Sequence, residues 1–151
     1  MKKITSTVIN LIVICIVFSL TGCNSTASGS NVTEIKTYSN FVQALQSNGY
    51  KVEEIKPTEA DKLSSFFSVY AKYIDVDKNR ISVYEFSDSD SAIEQTKTIS
   101  KDGFKIGNAM IDWIDKPHFY NKGKLIVGYT GSYNKKLLKD LEILLGKSVT
   151  N

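Results

Sequence analysis

Apolar and polar positions divide the chain into three parts. Residues 8–20 (VINLIVICIVFSL) are almost wholly apolar, residues 24–33 (NSTASGSNVT) are small and uncharged, and the remainder mixes apolar and polar positions. The first part is typical of the hydrophobic core of an export signal. The second part cannot bury apolar surface and is typical of a flexible linker. The pattern therefore predicts one folded domain that begins near residue 34.

Three segments of that domain place their inward residues at helical spacing, next to capping residues or glycine. We expect these residues to face the core: Phe41, Val42, Leu45, Ala92, Ile93, Thr96, Ile99, Leu137, Leu138, Leu141, Leu144 and Leu145. The predicted helices begin at Ser39 and end before Gly49, run from Asp90 to Ser100, and run from Ser132 or Asn134 to Gly146.

Strands are predicted where aromatic and β-branched residues dominate, over residues 50–55, 66–75, 80–87, 109–114 and 124–130. The polar segment from Asp75 to Asn79 resembles the start of a calcium loop. Arg80 and Phe86 stand where such a loop needs Gly and Glu, so we predict a hairpin turn instead. We expect residues 66–75 to pair with 80–87 and residues 109–114 to pair with 124–130, each pair followed by a helix. These two units predict an α+β fold, in which an antiparallel sheet of about five strands carries helices on one face.

A processing site follows the apolar run. Lys2 and Lys3 precede the run, whose helical length of about 20 Å is shorter than the roughly 30 Å core of a bilayer. The tetrapeptide Leu20-Thr21-Gly22-Cys23 resembles the lipobox of bacterial lipoproteins. The resemblance implies that the sulfur of Cys23 receives a diacylglyceryl group and that the chain is cut between Gly22 and Cys23.

Two alternatives to lipidation are an uncleaved transmembrane anchor and a cysteine that merely lies near an ordinary signal. The anchor would span residues 4–20, but polar residues at positions 5–7 and 10 leave it at the lower limit of a usable length. We expect a signal peptide over residues 1–22, a lipidated Cys23 with a tether to residue 33, a domain over residues 34–147 and a tail over residues 148–151. The protein should then reside at the extracytoplasmic face of the cell membrane.

Charge and cysteine content narrow the classes of partner. The chain has 19 Lys and Arg against 16 Asp and Glu, a formal net charge of +3. Loss of Lys2 and Lys3 with the signal leaves 17 against 16, or +1, which does not favour nucleic acid as a partner. Cys15 would also leave with the signal, so the mature chain has no second thiol for a disulfide.

The segment from Trp113 to Tyr129 (WIDKPHFYNKGKLIVGY) is the most distinctive part of the predicted domain. Together with residues 66–69 (FFSV) and 83–86 (VYEF), it resembles a set of uncharacterised bacterial lipoproteins and exported proteins. The resemblance covers roughly residues 38–147. It implies a shared fold without a shared chemistry.

His118 is the one imidazole of the chain and therefore the candidate for a base near neutral pH. Asp112 and Asp115 are close enough in sequence to orient it, so one hypothesis is a small envelope enzyme that uses His118 with Asp112 or Asp115. The favoured interpretation is structural, with Pro117 setting a bend and His118 attaching it to the core. A single His without a free Cys gives no zinc motif, and we predict no metal and no cofactor.

Aromatic residues are the candidates for binding. Strand alternation could turn some of them outward, in an exposed row that includes Tyr70, Tyr84 or Tyr129, but the favoured interpretation places most of these rings in the core or in cross-strand pairs. The residues considered for a binding site are Trp113, His118, Tyr120 and Tyr129. The sequence thus favours a membrane-anchored lipoprotein that presents a small, non-enzymatic binding or accessory domain to a protein or an envelope polymer.

Overall fold

The computed structural model describes residues 34–63 and 65–151. The predicted signal, the cleavage site at Gly22, Cys23 and the tether lie outside the described residues. Among the described residues, no helix has the length and apolarity needed to cross a membrane. The elements, in chain order, are α1 (Tyr38–Ser47), β1 (Val52–Ile55), α2 (Glu59–Leu63), β2 (Ala71–Val76), β3 (Asn79–Glu85), α3 (Ser89–Thr96), β4 (Lys105–Ile106), β5 (Ala109–Met110), β6 (Pro117–Lys122), β7 (Leu125–Thr130) and α4 (Lys135–Leu145).

The main sheet has five antiparallel strands in the order β1-β2-β3-β7-β6. The strands β4 and β5 form a separate two-stranded sheet. Two hairpins, β2-β3 and β6-β7, are each followed by a helix and meet where β3 pairs with β7. The predicted α+β class, the five antiparallel strands and the two hairpin-plus-helix units are confirmed.

Both faces of the main sheet carry packed residues, but only one face is covered completely. On one face, strand residues pack with α1 and α4 around Phe41, Val127 and Leu141. On the other face, Tyr84, Phe119 and other residues pack with α3 and with β4. The expectation of helices on one face therefore holds for α1 and α4, whereas α3 lies on the opposite face. This arrangement follows from β3 and β7, whose apolar residues alternate toward both faces.

The turn between β2 and β3 is the hairpin turn predicted from the calcium-like segment. Asp77 and Lys78 both have positive φ angles, 48° and 67°. A left-handed conformation at two successive central residues matches the twist of paired strands. The Asn79 side-chain amide donates to the carbonyls of Val76 and Asp77, at 3.0 and 2.9 Å, and so holds these residues in that conformation.

The strand that forms a hairpin with β7 differs from the prediction. We expected residues 109–114 to pair with β7, but the strand that pairs with it is β6, in a register that joins His118 to Tyr129. Pro117 lies at the first position of β6, where a missing N–H is tolerated. Residues 109–110 pair with β4 instead, and residues 111–114 then cross the α3 face of the main sheet.

Helix boundaries differ slightly from the prediction because other side chains cap them. Thr37 rather than Ser39 caps α1, since its hydroxyl accepts from the Asn40 N–H. The helix α3 ends at Thr96 rather than Ser100. The predicted cap Asn134 and the closing residue Gly146 are confirmed for α4.

The last four residues are an integral part of the fold. The Val149 N–H donates to the Phe119 carbonyl at 2.7 Å, along the outer edge of β6. The buried Thr150 hydroxyl accepts from the Phe119 N–H at 3.2 Å and donates to the Pro117 carbonyl at 3.1 Å. The segment that we expected to be a tail therefore covers an edge of the sheet, where unpaired backbone groups would otherwise be exposed.

Candidate functional site

A groove of about 520 Å³ lies on the α3 face of the main sheet. Its floor comes from β2, β3 and β7, and its wall comes from residues 111–114 and Phe66. The volume is in the range of small-ligand sites, which are concave and mainly apolar with a few polar groups. We take this groove as the candidate functional site.

Gly128 creates the depth of the floor. It lies in the middle of β7, opposite Ser82 of β3 and Phe119 of β6. A Cβ atom on Gly128 would lie 2.6 Å from Ser82 Oγ and 3.0 Å from Phe119 Cε1. A side chain at this position would therefore fill the floor and displace its neighbours. Glycine within a strand is often found where another group approaches the backbone closely.

Trp113 forms the aromatic wall, and its position is fixed. Its indole N–H donates to the Gly103 carbonyl at 2.8 Å. Its ring lies 5.8 Å from that of Phe66 and 5.9 Å from that of Phe119, measured between centroids. Phe66 and Trp113 are half-buried, so part of each ring remains accessible from the groove. The wall is thus a set of rings held in edge-to-face and tilted contacts.

Charged residues form a fixed rim of the groove near Arg80, at the start of β3. Arg80 donates to Asp61 at 2.7 Å, and its guanidinium lies 4.1 Å from the centre of the Tyr73 ring. Asp61 also accepts from the N–H and the hydroxyl of Thr58, at 2.8 Å each. The hydrogen bonds from Thr58, together with the charge of Arg80, lower the pKa of Asp61. The carboxylate thus stays ionised and holds Arg80 in place.

The opposite rim carries two accessible side chains, the carboxylate of Asp112 and the apolar side chain of Ile114. Asp112 is exposed, and among the described residues its carboxylate makes no hydrogen bond or ion pair. Ile114 is 99% exposed, although it is a large apolar side chain. Both side chains line the groove beside Trp113. They leave an acceptor and an apolar contact free for a ligand.

The four residues considered for binding lie in different places. Trp113 forms the wall of the groove, and Tyr129 borders the groove but is buried, with its hydroxyl donating to Asn79 at 3.1 Å. Tyr120 is 1% exposed and belongs to the core on the α4 face, where burial raises its pKa to about 12. His118 is half-buried on that same face and does not line the groove.

The favoured interpretation of the tyrosines as core residues is confirmed for Tyr84 and Tyr129, and the alternative of an exposed row is wrong. Tyr70 is 70% exposed, but Tyr84 and Tyr129 are only 2% and 5% exposed. Alternation along a strand turns a side chain to solvent only when one face of the sheet is uncovered. Here α1 and α4 cover one face and α3 with Phe67 covers much of the other, so both tyrosines become core residues.

His118 lies in an enclosed position. Its ring stacks on Tyr129 with 6.2 Å between centroids, and its Nε2 atom is buried without a hydrogen-bond partner. Burial lowers the pKa of His118, and the charge of Lys116 acts in the same direction. A backbone hydrogen bond with Gly131 and the charge of Asp115 oppose this shift. The neutral imidazole is therefore the favoured form.

Among the residues that the structure describes, neither aspartate proposed as a partner of His118 makes a hydrogen bond to its ring. Asp115 accepts from the N–H and the hydroxyl of Ser132, at 2.9 and 3.0 Å, and from the Lys116 N–H at 2.7 Å. Asp112 lines the groove, which His118 does not. Within the described part of the chain, no three His, Cys, Asp or Glu side chains form a group that could hold a metal ion.

Our sequence reasoning missed the residues that shape the groove. Gly128 interrupts the apolar run of residues 125–130, and an isolated glycine in a strand pattern is a known sign of close approach. Phe66 was assigned to a strand, whereas it lies in a loop that precedes β2. Asp61 and Arg80 are 19 positions apart, so no short sequence motif indicates that they form an ion pair.

Comparison with protein-family models, with curated protein sequences and with solved structures finds no match to this chain. The geometry of the groove is therefore the basis for assigning a function.

We predict that Gly128→Ala destabilises the fold by about 1–3 kcal/mol, the usual cost of overpacking. The backbone of Gly128 does not require glycine, so an unfavourable effect would come from the contacts with Ser82 and Phe119. Urea denaturation of the single variant and of Gly128→Ala combined with Ser82→Ala measures this. The double variant should recover part of the loss because the nearer contact is removed. A single variant as stable as the original chain would contradict the tight floor.

We predict that stability falls as the pH is lowered from 7.5 to 5.5. The folded pKa of His118 lies below its ordinary value of 6.5, so the unfolded chain binds the proton more readily in this window and stability rises with pH. The chain has one His, and the lowered carboxyl pKa values act only at lower pH. Urea midpoints of the original chain and of His118→Gln at both pH values test this. A slope that persists in His118→Gln would refute the assignment.

Proposed function

We propose that the protein is a bacterial lipoprotein whose folded domain binds a ligand of the cell envelope in the aromatic groove. The observation that carries the binding function is the groove itself, with its open floor at Gly128 and its wall at Trp113. The predicted acylation of Cys23 supplies the membrane attachment. The ligand is a protein or an envelope polymer, as the sequence led us to expect.

The fixed positions of the groove residues support a binding function. Trp113 is held by Gly103, and Arg80 is held by both Asp61 and Tyr73. Side chains that are already ordered lose little conformational entropy when a ligand arrives. The free carboxylate of Asp112 and the exposed side chain of Ile114 then provide contacts that cost no existing interaction.

The arrangement around His118 favours binding over the enzyme alternative. A general base needs its nitrogen within hydrogen-bond reach of a reacting group. The Nε2 atom of His118 is buried, and the oxygens of Asp115 accept from Ser132 and Lys116. Asp112, which does face the groove, is not accompanied there by His118. We therefore propose binding without catalysis.

The anchor in this proposal is a pair of acyl chains followed by a short tether. Two chains hold a protein firmly at a membrane, whereas one holds it marginally. Ten uncharged, mostly small residues over positions 24–33 span about 17 Å as a coil. The domain would then remain close to the outer face of the membrane, where envelope polymers are within its reach.

We predict that Cys23→Ala abolishes acylation of the protein. In a bacterial host fed an alkyne analogue of palmitate, the original chain should incorporate the label and the variant should not. Cys15→Ala is the matched control, because Cys15 lies within the predicted signal and should not carry the acyl group. Labelling that survives in Cys23→Ala, or that is lost only in Cys15→Ala, would overturn the proposed anchor.

We predict that soluble envelope fragments protect the groove from solvent. Trp113 is the one tryptophan of the chain, so its fluorescence reports on the groove without labelling. Acrylamide quenching of the full chain in liposomes should decrease by at least about twofold when fragments of the host envelope are added. Unchanged quenching at saturating fragment concentration would contradict a binding function for the groove.

A further inference from the structure

We infer that the groove takes a short stretch of an uncharged carbohydrate chain. This inference deepens the proposed binding function and rests on it. It follows from three properties of the lining: its balanced charge, its mixture of free donors and acceptors, and its accessible aromatic rings.

The lining carries no net charge. Lys78 and Arg80 contribute two positive groups, and Asp61 and Asp112 contribute two negative groups. Arg80 and Asp61 already neutralise each other through a bond of 2.7 Å. A strongly charged ligand would therefore meet repulsion from one of the remaining charges. An uncharged ligand that offers both donors and acceptors meets none.

The free polar groups of the groove suit hydroxyl groups. Asp112 is an acceptor, and the Thr130 hydroxyl is both a donor and an acceptor; neither side chain has a polar partner among the described residues. Arg80 has N–H groups beyond the one that contacts Asp61. A sugar hydroxyl donates and accepts at once and can pair with groups of either kind.

The aromatic wall suits the apolar face of a sugar ring. Phe66 and Trp113 are half-buried and line the groove, whereas the ring of Tyr73 is already contacted by Arg80. The face of an aromatic ring is electron-rich, and the C–H groups on one side of a pyranose ring are slightly positive. Trp113 uses its indole N–H on Gly103, so it can offer a ligand only its ring.

An extended peptide fits the floor poorly. Each peptide residue brings a backbone donor and acceptor that must be paired when buried. The floor strands β2, β3 and β7 are each paired on both sides, so their backbone groups are already used in the sheet. The hydrogen-bonding groups that remain free belong to a few side chains, and these are too few to pair the backbone N–H and C=O groups of a peptide ligand.

The test is a titration of the full chain in liposomes with fully N-acetylated chitotetraose, an uncharged oligosaccharide, while Trp113 fluorescence is recorded. We expect a saturable change. An apolar heptapeptide of neutral charge is the comparison ligand and should give none. If the peptide saturates and the sugar does not, or if envelope fragments shield Trp113 and neither probe binds, the carbohydrate inference is overturned and the binding function stands. If envelope fragments also fail to shield Trp113, both are overturned.

Two variants that each remove one exposed carboxylate test whether the sugar binds in the groove. Asp112→Ala should weaken chitotetraose binding by at least about fivefold, because an acceptor for hydroxyl groups is lost. Asp112 is exposed and unpaired within the described structure, so the fold should be unaffected. Glu142→Ala removes an exposed carboxylate of α4 and should leave the affinity unchanged. Equal weakening in both variants, or in neither, would overturn the assignment of the groove to carbohydrate.

Discussion

The pairing of β3 with β7 is the interaction on which the rest of the structure depends. It joins the two hairpins into one sheet, with Val83 directly opposite Val127. Residues of both strands belong to the core on each face, for example Ile81 and Leu125 on one side and Tyr84 and Ile126 on the other. A central strand pair with two apolar faces needs cover on both sides, because uncovered apolar surface is unfavourable in water.

The cover is complete on one face and partial on the other. The helices α1 and α4 close one face. The hydroxyl of Tyr50, which lies between α1 and β1, donates to Asp140 of α4 at 2.7 Å and accepts from Lys136 of α4 at 3.0 Å. On the other face, α3 and β4 leave an area over Ser82 and Gly128 that residues 111–114 only border. The groove is the part of the sheet that this fold does not cover.

The local elements were predictable, and their arrangement was less so. The leucine spacing of α4, its cap at Asn134 and the turn at Asp77 follow from short-range chemistry that a sequence displays. The partner of β7 depended on whether residues 109–114 or 117–122 fit beside it, and both segments contain β-forming residues. Local strand propensity therefore did not distinguish the two segments, and the choice of β6 depends on contacts between residues far apart in the sequence.

The candidate site was only partly visible in the sequence for the same reason. Trp113 was a candidate for binding because it belongs to the distinctive segment, but its contacts with Phe66 and Gly103 cross the fold. Tyr120 shares the distinctive segment of Trp113 yet is buried on the opposite face of the sheet. The hydrophobic pattern indicates which side chains are buried, and it does not indicate which face of a two-sided sheet receives them.

The central claim is that the sheet surface over Gly128 is where this protein meets its ligand. Hydrogen–deuterium exchange of the full chain in liposomes, followed by mass spectrometry of its peptides, tests this most directly. With chitotetraose added, the account predicts slower exchange in residues 111–114, which lie between β5 and β6, and an unchanged rate in α4. Slower exchange confined to α4, or no change along the chain at a saturating concentration, would contradict it.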